Sequence, residues 1–248
     1  MNTYFGYLKI FECEEYADQF LAGNIFCNPL KFFKQREIGD DGRGDPLEGA
    51  IGILQPHELK AITISAPGTD LPPLKLNQNS LAGPVIFHRD ADLLQRVFCM
   101  YAFHFQKDEL EFTMDDVDSD IRLQSVKNRF QVDERCYQLG SHAVYIHNGQ
   151  KFLEALGAFS DKTGQKIQYG LVRYYDDSAI TGRFAEGNVA FRKSNRFAYQ
   201  REFRLAFEAS GTAPVTLDVG DLRSYAIKLP SHQLRDLEVN VEFYDDPA

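Results

Sequence analysis

Residues 191–207, FRKSNRFAYQREFRLAF, decide how this chain is read. The last six alternate, with Phe203, Leu205 and Phe207 on one side and Glu202, Arg204 and Ala206 on the other. A period of two is the signature of a half-buried β-strand. Gln200 and Glu202, two residues apart, then project from one face at the start of that strand. Arg192, Lys193, Arg196, Arg201 and Arg204 surround them, the densest basic cluster in an acidic chain. A carboxylate held among guanidinium groups is either a structural ion-pair knot or a site for an anionic ligand. Exposed ion pairs contribute only about 0–1 kcal/mol each, a weak reason for gathering so many.

Outward from this stretch, the same signals give the remaining elements. Residues 4–11, 25–27, 61–65, 83–88, 97–106, 143–147, 167–175, 215–219 and 224–229 read as strands, and 237–244 as an edge strand. The run 97–106 is long and apolar enough to be central. Helical spacing marks 14–21, where Tyr16, Phe20 and Leu21 follow an acidic first turn and Gly23 supplies the stop. It also marks 30–36, 121–130 and 149–159, the last with Phe152, Leu153, Leu156 and Phe159 on one face. Residues 37–49 form a loop rich in Gly, Asp and Pro, and 109–120 is the most acidic segment. Strands and helices do not alternate regularly. The expectation is one α+β domain over residues 1–248, with a mainly antiparallel mixed sheet and several short helices.

Composition narrows the function. A net charge of −9 argues against binding nucleic acid through bulk electrostatics, although a local basic cleft is still allowed. The four cysteines form no CxxC pair, which predicts reduced thiols and no zinc site. The six histidines show no metal-ligand spacing. No cationic leader and no apolar run of about 20 residues is present, so the expected protein is soluble and cytoplasmic. GxGxxG, P-loop, HExxH and GxSxG motifs are absent.

Carboxylates and arginines remain, at three places: Tyr4 and Tyr7 on the first strand; Arg36 and Glu37 with Arg43, Asp45 and Glu48; and Lys193 with Gln200, Glu202 and Arg204. A buried carboxylate, an aromatic platform and basic groups for a diphosphate suit transfer from a dinucleotide such as NAD. The glutamate would bond the nicotinamide-ribose hydroxyl and stabilise an oxocarbenium-like centre as nicotinamide leaves. The same groups suit a non-catalytic nucleotide or nucleic-acid-binding module. Asp45, Glu48 and Glu202 around Mg²⁺, which takes oxygen ligands, would make a metal-dependent nuclease. A further alternative ties the Gly-Asp-Pro loop to Arg43, Arg201 or Arg204 as architecture, with function on a protein surface.

Several segments resemble a widespread family of bacterial and phage-borne proteins of unassigned function. They are Phe20-Leu21-Ala22-Gly23-Asn24-Ile25-Phe26, the loop Gly44-Asp45-Pro46-Leu47-Glu48-Gly49, the set Val172, Tyr174 and Asp176, and the late group Lys193, Tyr199, Glu202 and Arg204. The order of parts is also similar to the ADP-ribosyltransferase superfamily, whose late E/Q-x-E motif is matched by Gln200 and Glu202. Gly6 and Tyr7 stand where that superfamily has a His or Arg. The resemblance implies an NAD-using enzyme, a toxin or a phage defence or anti-defence factor. Glu202 would be its catalytic carboxylate, Gln200 would orient the acceptor and Tyr7 would contact the ribose. Arg36, Arg43, Asp45, Glu48, Lys193, Tyr199 and Arg204 would hold the ligand.

Overall fold

The computed structural model describes residues 2–36, 43–106 and 119–236. The chain opens with β1 (Asn2–Phe11), α1 (Glu14–Leu21), β2 (Asn24–Pro29) and α2 (Leu30–Gln35). Next come β3 (Ala50–Leu54), β4 (Ile62–Ile64), β5 (Leu74–Leu76), β6 (Val85–His88), α3 (Asp90–Leu93) and β7 (Arg96–Gln106). The middle holds α4 (Ser119–Arg129), β8 (His142–Ile146) and α5 (Gly149–Thr163). After these lie β9 (Gln168–Leu171), β10 (Arg173–Tyr175), β11 (Gly182–Arg183), β12 (Arg192–Ser194), β13 (Glu202–Phe207), β14 (Val215–Asp218) and β15 (Ala226–Pro230). This is an α+β fold with mainly antiparallel sheets and short helices. The expected strand 237–244 and most of the acidic segment 109–120 lie outside the described residues.

The eight-stranded main sheet runs β14-β2-β7-β1-β8-β15, with β13 on the other edge of β7 and β9 outside it. One face carries Tyr7, Phe98, Met100, Ala102, Phe203 and Leu205 and is covered by α1 and α5. Both helices owe this to an apolar stripe: Ala17, Phe20 and Leu21 in α1, Phe152 and Leu156 in α5. Asn148 caps α5 by accepting from Lys151 N at 3.0 Å, and Gly164, at φ 73°, ends it. The opposite face carries Leu8, Tyr101, Phe103 and Ala143 in one cluster and Val97, Ala206, Leu30 and Leu93 in another.

Two expectations change here. All six residues of β13 are buried, so the strand is covered on both faces, including its polar one. The expected strand 167–175 is two strands that part at Val172. β9 pairs antiparallel with β13, while β10 runs parallel to β12. Val172 N donates to Glu202 O at 2.9 Å at the parting point, and the chain then leaves the sheet.

Candidate functional site

The site begins as a gap in the main sheet. β1 pairs with β7 up to Leu8↔Tyr101, and β2 takes the same edge only at Asn28↔Val97 and Pro29↔Arg96. Between them, residues 98–100 of β7 have no strand partner on that edge among the described residues. A backbone carbonyl left bare in an interior is costly, and Lys9 answers for one of them. Its Nζ donates to Cys99 O at 2.7 Å and lies 4.8 Å from the centre of the Phe98 ring. A cavity of about 470 Å³ occupies the gap, within the usual range for small-molecule sites. Tyr16, Phe26 and Phe32 line it and are exposed, so they form its rim, together with Arg36 and Arg43. Glu202, Gln200, Lys193 and Arg204 line it and are buried, so they form its floor.

The floor is a closed network of opposite charges. Glu202 Oε1 accepts from Lys193 Nζ at 2.5 Å, and Oε2 accepts from Arg204 Nε at 2.7 Å. Arg204 grips Glu48 with both terminal nitrogens, at 2.6 and 2.9 Å, and donates to Ala190 O at 2.7 Å. Lys193 also donates to Gln200 Oε1 at 2.7 Å. Burial alone would raise the pKa of Glu202, but Arg204 and then Lys193 outweigh it and pull it to about 2. Burial works against the Lys193 ammonium as well, yet Glu202 holds its pKa above the ordinary lysine value. Glu202 is therefore ionised at neutral pH. Each of its oxygens still has lone-pair capacity for a ligand hydroxyl.

Separate segments place this carboxylate. Leu47 N donates to Asp45 Oδ1 at 2.9 Å and Glu48 N to Asp45 O at 3.0 Å, so the Gly-Asp-Pro loop folds into a turn that delivers Glu48 to Arg204. On β10, the Tyr174 hydroxyl accepts from Glu202 N at 2.8 Å. Immediately before Glu202, Arg201 adopts the left-handed conformation, φ 39° and ψ 49°. Its guanidinium donates to Arg129 O at 2.6 Å. Gln200 consequently belongs to a 3₁₀ turn (Asn195–Gln200) rather than to the strand, and the turn still aims it at Lys193.

The structure sorts the ten candidate residues. Arg36, Arg43, Lys193, Gln200, Glu202 and Arg204 line the one cavity. Arg36 sits over the Phe32 ring at 5.9 Å, and Arg43 bonds Glu12 and the carbonyl of Leu139. Tyr7 does not join them. It packs at 4.5 Å from Phe203 on the other sheet face, because the sheet's period of two turns it away from Glu202. Glu48 and Asp45 are buried behind the floor, and Tyr199 stands aside, its ring 3.9 Å from Arg135 and its hydroxyl accepting from Gln200 Nε2 at 3.3 Å. Glu48 and Glu202 neutralise Arg204. Among the described residues no group of three His, Cys, Asp or Glu is placed to hold a metal ion, so the carboxylate set proposed for Mg²⁺ does not assemble. The basic cluster also disperses: Arg192 bonds carbonyls of Ala185 and Gly187, and Arg196 bonds Asp177.

Sequence reasoning missed Lys9. In a strand of aromatic and apolar residues it reads as the solvent-facing member of the alternation. Only the gap between β1 and β2 turns it inward, and a gap in strand pairing leaves no local signal. No protein-family model matches the chain, and neither a curated protein nor a solved structure does.

Proposed function

We propose that the cleft between β1 and β2 binds an anionic, ring-bearing ligand of the nucleotide type. The observation that carries this reading is the make-up of one cavity: exposed aromatic rings and two arginines at the rim, and an ionised carboxylate on the floor. Exposed aromatics gathered at one opening offer stacking surface for a base. Among the described residues Arg36 and Arg43 share Glu12 at the rim and outnumber it, so the opening is favourable to a phosphate. Glu202 offers acceptors to a ribose hydroxyl. A melting series with mono- and dinucleotides, NAD among them, tests it. A ligand at 100 times its Kd stabilises by about 2.7 kcal/mol, so at least one nucleotide should raise Tm by several degrees, and less so in Arg36→Ala. A flat panel overturns the reading.

ADP-ribosyl transfer from NAD is the second reading, favoured by Gln200 and Glu202 facing the same cavity. Glu202 would stabilise positive charge developing at the ribose while nicotinamide departs. Release of nicotinamide from NAD by the wild type, lost in Glu202→Gln, is the expected result. The variant's melting must be followed in parallel, because Glu202 also balances two buried cations. No nicotinamide release in the presence of lysate removes this second reading and leaves the first standing.

A further inference from the structure

Among the described residues, four side chains bearing an amine or thiol line the cleft: Lys9, Lys193, Cys99 and Cys136. Burial pushes the Cys99 thiol up to about 11 and the Cys136 thiol to about 12, so neither supplies a thiolate at neutral pH. Lys193 is held as an ammonium by Glu202. Lys9 differs from all three. Among the described residues its only hydrogen-bond partner is the Cys99 carbonyl, and no carboxylate there pairs with its ammonium. The Phe98 ring flanks it. Burial lowers its pKa and the charge of Arg43 adds to that, which together outweigh the opposing pull of Cys99, Glu202 and Cys27. A neutral Lys9 can still donate one N–H to Cys99 O and keep its lone pair for a ligand.

We infer that Lys9 is a nucleophilic lysine that captures the carbonyl group of an anionic aldehyde or ketone as an imine within this cleft. The inference rests on the cavity being a ligand site. In the step, the neutral Nζ attacks the carbonyl carbon and a C–N bond forms. The C–O bond then breaks, and the carbonyl oxygen leaves with the two amine protons as water. A C=N bond remains, and no oxidant or reductant is needed. The surroundings select the ligand class. Arg36 and Arg43 outnumber their shared partner Glu12 among the described rim residues and so favour an anionic group, and the aromatic rim favours a flat or ring-bearing body.

Pyridoxal 5′-phosphate, a ring-bearing anionic aldehyde, is the probe, with borohydride to fix the imine and peptide mass mapping to locate it. A lowered pKa raises a lysine's free-amine fraction at neutral pH. Lys9 should therefore carry the adduct before the exposed Lys31, Lys151 and Lys162 do. Lys9→Arg keeps an N–H donor for Cys99 O and should lose the adduct while melting like the wild type. Where that variant does not fold, the adduct's position in the wild type decides alone. Labelling spread over the exposed lysines, with Lys9 unmodified, overturns the inference even if nucleotides raise Tm. An adduct at Lys9 in a protein indifferent to every nucleotide upholds the inference and sinks the nucleotide reading instead.

Discussion

Arg204 is the residue through which the site and the core are joined, because it satisfies two glutamates at once. With Lys193 it brings two positive charges to the two negative charges of Glu48 and Glu202, and all four groups are buried. A closed buried network gains little over an apolar core, yet breaking one member leaves an uncompensated charge. Glu48→Leu and Arg204→Met should each cost about 3–5 kcal/mol in urea unfolding. The double variant removes one charge of each sign and leaves the Lys193–Glu202 pair intact. It should cost well under the sum of the singles, since the two residues share a bidentate contact. Additive losses would mean that the two side chains act separately and that the network is only geometric proximity.

At the scale of elements, what matters is how turns aim strands. Gly49 follows Glu48 directly and sits at φ 73°, where a side chain is strained; a Cβ there would meet Leu93 Cδ2 at 2.8 Å. Gly49→Ala should therefore cost about 1–3 kcal/mol and loosen the turn that carries Glu48. Faster amide exchange at Leu47 and Ala50 than in wild type is the measurement, and unchanged protection would show that the turn is held by other contacts. The alternation in residues 202–207, the helical stripe of α5 and the apolar run of β7 were legible in the sequence, because each is a local period imposed by one buried face. The convergence of Glu48 with Lys193 and Glu202 was legible only as two separate polar segments. What could not be read was the face. Tyr7 and Leu8 are neighbours in sequence, and the pleat sends only Leu8 to the cleft. The left-handed Arg201 likewise breaks the strand one residue before Glu202, and a non-glycine residue gives no warning of it.

Across the whole molecule, two buried carboxyls of opposite habit should shape stability against pH. Glu202 has a folded pKa of about 2 against an ordinary 4.5, so its contribution is present above pH 4.5 and is lost as pH falls toward 2. Asp45 is the reverse. Burial, and then the charge of Glu48, push its carboxyl up to about 6 from an ordinary 3.8, against the opposing pull of the Leu47 N–H, Lys193 and Arg196. Its contribution is full below pH 3.8 and is lost as pH rises through 6, because the folded state then holds a proton that the unfolded chain has released. Together they place the most stable condition at mildly acidic pH, with Asp45 removing about 1–3 kcal/mol between pH 4 and 7.5. Asp45→Asn keeps an acceptor for Leu47 N but does not titrate. Chemical unfolding at a series of pH values should show the decline above pH 4 flattened in the variant and the acid limb below it unchanged, since Glu202 still governs that side. A variant whose stability falls from pH 4 to 7.5 as steeply as the wild type's would show that some group other than Asp45 carries the proton.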